Sequence, residues 1–272
     1  MTAPLLEVRD VARSYAMGAL LSRHRVRAVD GISFTMPSER AEILAVIGES
    51  GSGKTTLARM ILNMLLPTEG SIRFRGTDLC EIRRGRDRLE FMKRVQPVFQ
   101  NPFEAFNPLK RIDRYLFMTA RRIAGLETIG DAENRVEEVL GTVGLSLAEV
   151  RGRFPHELSG GQLQRIAIAR ALIPSPALLV ADEPVSMIDA SLRLSIVNLL
   201  CRLRDETGVA IVYITHDLAT AYSISDRIMI MREGRVVESG DARTVLDNPQ
   251  HPYSIMLKAA VLSPDAASIT KD

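Results

Sequence analysis

The chain has 272 residues, 46% of them hydrophobic and 25% charged, with a formal net charge of +2. That length suits one large domain or two small ones and allows a substantial core, while the balanced charge argues against nucleic acid as a partner. The two cysteines, Cys80 and Cys201, lie far apart with no C-x-x-C spacing, so a reducing compartment is expected and a disulfide framework is not.

In chain order, "MTAPLLEVRD" lacks a basic start followed by an apolar run, so no signal peptide is expected, and no apolar stretch is long enough to cross a bilayer. "LLEVRDVARSY" and "VDGISFTM" approach strict alternation and read as strands. "EILAVIG", Glu42 to Gly48, is nearly continuous in apolar residues, the pattern of a strand buried on both faces. A glycine-rich turn follows. Next comes "KTTLARMILNMLL", with apolar residues at helical spacing and Pro67 and Gly70 expected to close the helix. "SIRFRG" reads as another strand. The middle is more helical: "DRYLFMTARRIAG" and "AENRVEEVLGTVG" both end near glycine, and "QLQRIAIARALI" is stopped by Pro174. Strands return in "ALLVAD", "VAIVYITH" and "RIMIM", separated by helices such as "SLRLSIVNLLCRL". Strand–helix–strand alternation at both ends predicts an α/β fold with a parallel sheet and a helical insertion. A frayed tail is expected from about Ser263.

"GESGSGKT", Gly48 to Thr55, fits G-x-x-x-x-G-K-[ST] at every position, behind a buried strand and ahead of a helix. Glycines let successive N–H groups of Gly48, Glu49, Ser50, Gly51, Ser52 and Gly53 curl towards phosphate oxygens. The helix N-terminus, with Thr56 in its first turn, adds partial positive charge. Lys54 supplies a full charge for the β- and γ-phosphates, and Thr55 a hydroxyl for Mg²⁺. "ALLVADEP" is an apolar strand ending in two carboxylates, which are costly there unless paired or facing a cation. Asp182 could hold Mg²⁺ directly or through water. Glu183 could polarise a water for attack on the γ-phosphate.

"GESGSGKT", "LSGGQLQR" and "LLVADEP", in that order, resemble the ATP-binding subunit of an ABC transporter over nearly the whole chain. The resemblance implies a P-loop NTPase cassette. Its core sheet would be mostly parallel, with an N-terminal antiparallel β subdomain and an inserted helical subdomain. In numbers, residues 1–262 would form one ABC ATPase domain. Core and β subdomain would occupy 1–99 and 166–240, the helical subdomain 100–165, a C-terminal helical segment 241–262, and a flexible tail 263–272. "VFQNP" resembles the Q-loop, which would bring Gln100 to Mg²⁺ or the attacking water. "SMID" resembles the D-loop, placing Asp189 along a dimer interface. "YITHD" resembles the H-loop, so that His216 would hydrogen-bond the γ-phosphate, and Tyr15 resembles the residue that stacks on adenine.

The resemblance also implies that Ser159, Gly160, Gly161 and Gln162 meet the nucleotide of an opposite subunit, so ATP would sit in the interface of a homo- or heterodimer. Two departures touch interface details: Met187-Ile188 stands where Ala-Leu is frequent, and Leu163 where a basic or polar residue often follows the signature Gln. Partners implied are transmembrane permease subunits and, indirectly, an external solute-binding protein, with the chain peripheral on the cytoplasmic face of the inner membrane.

"NPFEAFNP", "AVDGISF" and "NPQHPYSIML" resemble the peptide/nickel/opine class of uptake systems, some of which carry oligosaccharides. The last of these segments lies outside the ATP chemistry as the motifs draw it. A lone His251 is poor evidence for a metal. The arginine-rich runs "LLSRHRVRAVD" and "EIRRGRDRLEFMKR" read as solvated faces. The rival class is a soluble ABC ATPase of an assembly type, such as iron–sulfur cluster assembly; the "HPYS" and "NPFEAFNP" segments argue against it.

Overall fold

A computed structural model describes residues 3–17, 24–103 and 105–262. The expected tail and the Leu20–Arg23 part of the first basic run lie outside the described residues. The chain divides into two compact units, one formed by Met1–Glu81 with Val212–Asp272 and the other by Ile82–Ile211.

The first unit starts with the two alternating runs. β1 (Leu6–Met17) and β2 (His24–Met36) pair antiparallel from Leu6 opposite Met36 to Tyr15 opposite Val26. Register shifts lie between Val8 and Val11, where Asp10 has a left-handed φ of 46°. β3 (Ile43–Ile47) is buried at all five residues, as its unbroken apolar run demands. Full burial of each large side chain there contributes about 1.5–3 kcal/mol.

Helix α1 (Lys54–Ile61) follows the glycine-rich loop and is shorter than the sequence suggested, since the apolar spacing runs on to Leu66. It stops because Asn63 takes a left-handed φ of 51°. Asn63 N donates to Met60 O and Met64 N to Arg59 O, at 3.0 and 2.9 Å. This is a Schellman closure with Asn in place of the usual Gly. The Asn63 side chain donates to Leu79 O at 3.1 Å, which holds the turn. β4 (Glu69–Phe74) and β5 (Thr77–Asp78) complete an antiparallel sheet of order β2-β1-β4-β5.

The second unit opens on α2 (Gly85–Arg94), which buries only Phe91, so its basic run does lie on a solvated face. β6 (Val95–Val98) runs parallel to β7 (Leu178–Asp182), with Val95 opposite Leu178. Between these strands come α3 (Ile112–Thr119) with a π turn at Ala120–Ala124, then α4 (Ile129–Thr142), α5 (Leu147–Val150) and α6 (Gly160–Leu172). Arg135 of α4 donates to Leu172 O and Ile173 O, satisfying carbonyls at the end of α6. α7 (Ala190–Thr207) ends at Gly208, with φ 68°.

β8 (Ala210–Thr215) leads back into the first unit. There follow α8 (Leu218–Ile224), β9 (Arg227–Arg232), β10 (Arg235–Asp241), α9 (Ala242–Asp247) and α10 (Pro252–Leu262). β9 lies parallel to β3, with Ile47 opposite Ile230, and antiparallel to β10. Cys80 and Cys201 form no disulfide. Among the described residues no helix is long and apolar enough to cross a membrane.

Candidate functional site

In the first unit the loop between β3 and α1 is cramped by design of its sequence. A Cβ at Gly48 would lie 2.2 Å from Met231 O, and one at Gly53 would lie 2.1 Å from Ala28 O. Gly51 and Gly53 carry φ of 83° and 102°, which side-chain-bearing residues resist. Gly234, in the turn between β9 and β10, donates its N–H to Ser52 O at 3.1 Å and accepts from Asp30 N at 2.9 Å. The loop is therefore braced by β2 on one side and by the β9–β10 turn on the other. Arg235, with ion pairs to Asp30, and Arg27, paired to Asp30 and Glu69, hold the same corner.

Within this brace Lys54 is only 6% exposed, and its Nζ donates to Gly48 O and Glu49 O at 2.7 and 2.8 Å. A buried ammonium held by two loop carbonyls is a fixed positive charge at the loop mouth. Ser52 is buried, and its Oγ has no hydrogen-bond partner among the described residues. Helix α1 has no side-chain cap, since its N-cap is Gly53. An unpaired buried hydroxyl, an uncapped helix start and a pinned lysine together suit an anion such as a phosphate chain. Thr55 and Thr56 stand in the first turn, Thr55 exposed.

Tyr15 lies in β1, 37% exposed, with the Arg13 guanidinium over its ring at 5.0 Å. His216 follows β8 and is exposed. It is held between two fixed neighbours: Thr215 Oγ1 accepts from Asp217 N, and the Asp217 carboxylate caps α8 by accepting from Ala219 N and Thr220 N.

One residue of this site escaped the sequence reading. Tyr253, at the start of α10, accepts a hydrogen bond on its hydroxyl from Glu49 N at 3.1 Å. The segment "NPQHPYS" therefore touches the phosphate loop directly, contrary to the expectation that it lies apart from it. Burial pushes the Tyr253 phenol above its ordinary value, so the hydroxyl stays protonated near neutral pH.

In the second unit, β7 delivers Asp182 at its end and Glu183 just beyond, both half-buried. Glu183 adopts a left-handed φ of 48°, a strained state that places it sharply off the strand line. Ser186 fixes the turn, donating from its N and its Oγ to Glu183 O at 3.2 and 3.0 Å. Gln100, after β6, donates from Nε2 to Glu183 Oε2 at 3.1 Å. The structure thus brings together two residues that the sequence proposed for the same reaction. Among the described residues no cluster of three or more His, Cys, Asp or Glu side chains forms a ready cation cage. Mg²⁺ usually keeps several waters and needs only one or two protein oxygens, and within this unit Asp182 is a carboxylate that could supply one.

Ser159 is the N-cap of α6 in a capping box: its Oγ accepts from Gln162 N at 3.2 Å, and Gln162 Oε1 accepts from Ser159 N at 3.0 Å. The two glycines differ. A Cβ at Gly161 would strike Leu192 Cδ1 of α7 at 2.7 Å, whereas one at Gly160 meets nothing within 4 Å. A side chain at Gly161 would thus press on helix packing inside this chain, and one at Gly160 would not. In the turn before α7, Ile188 is buried while Met187 and Asp189 are exposed.

The family model described as ABC transporter matches residues 29–186. An oligopeptide transport ATP-binding protein, AppF of Bacillus subtilis (strain 168), is 39% identical over 94% of this chain and 78% of its own length. The dipeptide transport ATP-binding protein DppF of Escherichia coli (strain K12) is 40% identical over 96% of this chain and 78% of its own. Among solved structures, the dimeric, post-hydrolysis state of the ATP-binding cassette MJ0796 bound to ADP and Pi superposes with a TM-score of 0.76. That match is at 26% identity and covers 88% of this chain and 99% of that one. The phosphate loop, the acid-tipped strand and the capped signature helix agree with these matches, and the chain belongs to the ABC transporter family, as one of its ATP-binding cassettes and an ATPase.

Proposed function

We propose that the chain drives uptake of oligopeptides or dipeptides across a bacterial inner membrane. It would work from the cytoplasmic face as one of two cassettes coupled to transmembrane permease subunits, with an external binding protein delivering the solute. The phosphate loop carries the reading: a buried Lys54 pinned by Gly48 O and Glu49 O beside an uncapped helix is built to receive ATP phosphates. The cargo rests on the relatives named for oligopeptide and dipeptide transport.

In this reading one continuous cassette holds its own ATP. The amides of Gly48, Ser50, Gly51 and Gly53, the Ser52 hydroxyl and the first turn with Lys54, Thr55 and Thr56 receive the phosphates; the Glu49 amide is engaged by Tyr253 and the Ser52 amide by Glu49 O. Adenine stacks on the face of Tyr15 away from Arg13. Thr55, Asp182 and Gln100 would hold Mg²⁺, which would supply charge neutralisation of the phosphates. Glu183 orients and deprotonates the attacking water, and its bond to Gln100 aims the carboxylate. His216 hydrogen-bonds the γ-phosphate. Ser159, Gly160, Gly161 and Gln162, with Asp189 along the interface, meet the nucleotide of the second subunit. Because Ser159 Oγ already accepts an N–H, its own proton is directed outward to an acceptor. ATP favours the closed pair and hydrolysis releases it.

Glu183→Gln tests this: with ATP the variant should stop hydrolysing and shift from monomer to dimer on size exclusion. A variant that hydrolyses at the parental rate and stays monomeric would remove both the base and the sandwich from the account. Solubilised membranes probed with the tagged chain should yield permease subunits; recovery of cytosolic partners alone would favour an assembly role.

A further inference from the structure

Helix α10 does not simply follow the fold; it is fastened at its start. The Glu238 carboxylate of β10 accepts from Gln250 N at 2.9 Å and His251 N at 3.1 Å, and His251 Nδ1 accepts from Tyr253 N at 3.2 Å. Lys258 Nζ donates to Asp247 O. These contacts leave Tyr253 only 2% exposed, with the Arg232 guanidinium 5.1 Å over its ring. Beside this contact, the pair and the loop together line a cavity of about 150 Å³, with Glu49, Ser52, Arg232, Glu233 and Tyr253 among its walls.

A phosphate loop must present most of its N–H groups to a ligand, yet one that points elsewhere needs a partner of its own. The Glu49 N–H has such a partner in the Tyr253 hydroxyl. Glu49 O meanwhile accepts from Lys54 Nζ and from Ser52 N. The peptide units flanking Glu49 are therefore tied on one side to the functional lysine and on the other to the C-terminal segment.

We propose that Tyr253 is a positioning residue for ATP binding: through the Glu49 amide it fixes the first turn of the phosphate loop, and thereby the carbonyls that hold Lys54. This rests on the reading of that loop as the ATP site. The C-terminal segment is then part of the nucleotide site, although no atom of it need touch the nucleotide.

The test is Tyr253→Phe in the full chain, which keeps the ring, its burial and the Arg232 contact and removes one oxygen. ATP affinity by titration should fall about two- to tenfold, the range of one lost hydrogen bond. Amide exchange at Glu49 should accelerate, while exchange in β3 and β9 stays as in the parent. The same loss should recur in a Glu49→Ala background, because the donor is main chain. If the loss vanishes there, the hydroxyl works through the Glu49 carboxylate and the proposal fails. Unchanged affinity with unchanged Glu49 exchange overturns it as well. Lys54→Ala, titrated alongside, addresses the underlying reading. Should the parent bind no ATP, or Lys54→Ala bind it equally, the assignment of the loop itself falls, separately from the role of Tyr253.

Discussion

Replacing Gly48 by Ala would separate two reasons for glycine in one loop. Gly48 is not among the residues with positive φ, so its backbone tolerates a side chain; the obstacle is space. An added Cβ would sit 2.2 Å from Met231 O and 2.7 Å from Ser52 Oγ. Carbon–oxygen contacts settle at about 3.3 Å or more, so loop and strand must part by about 1 Å. Met231 is in β9, which lies parallel to β3 through Ile47 and Ile230, and neither strand can yield alone. Forced overpacking of this kind costs about 3 kcal/mol, which lowers the melting midpoint by about 6–12 °C in a domain of this size. Gly51→Ala is the control: it has open space but φ 83°, and the left-handed penalty of about 1 kcal/mol corresponds to about 2–4 °C. Thermal unfolding followed by circular dichroism, in the absence of nucleotide, reads both. A Gly48→Ala midpoint within about 2 °C of the parent, or Gly51→Ala as the more damaging change, would refute the steric argument.

The signature glycines should respond in the opposite way to their neighbourhoods. Gly161→Ala meets the flexible end of Leu192 and should cost about 1 kcal/mol. Gly160→Ala should leave the midpoint unchanged, since a Cβ there meets nothing in this chain, yet lower steady-state ATP hydrolysis about tenfold or more if, as proposed, it meets the nucleotide of the second subunit; normal turnover would contradict that proposal. The C-terminal fastening should be pH-dependent on the acid side. Burial alone would raise the Glu238 carboxyl, but the hydrogen bonds it accepts outweigh burial and hold it below its ordinary value. Its contribution is therefore complete above the unfolded value of about 4.3 and is lost as pH falls through the lower folded value. Proteolysis within 248–262 should be flat from neutral pH downward and rise only in acid, and Glu238→Gln should abolish that transition.

What the sequence revealed depended on how local the chemistry was. Gly48 to Thr55 is legible because loop, lysine and helix start are consecutive, and every requirement is written in one octet. Gln100 and Glu183 could be joined only through family resemblance, and their hydrogen bond spans 83 positions. The end of α1 was missed because Pro67 and Gly70 looked like stronger stops than Asn63, whose left-handed turn is stabilised by a distant carbonyl, Leu79 O. β6 was missed because Pro97 speaks against a strand; it is tolerated because β6 is the edge of its sheet. β10 has no buried residue in its seven positions and so leaves no alternating signal. Tyr253 was hardest of all. A tyrosine in a helix start looks the same whether its hydroxyl meets water or a phosphate loop.

The bond between Glu49 and Tyr253 closes a span of 204 positions. During synthesis the phosphate loop leaves the ribosome long before its partner is made. At about 5–20 residues per second, the interval is about 10–40 s. Through that time the nascent chain carries β3, the loop and α1, but the Glu49 amide lacks the hydroxyl that will fix it. Tyr253 thus makes the nucleotide site a late product of translation, so that a ribosome stalled before the last helix displays a loop of the right sequence that is not yet held in its final form.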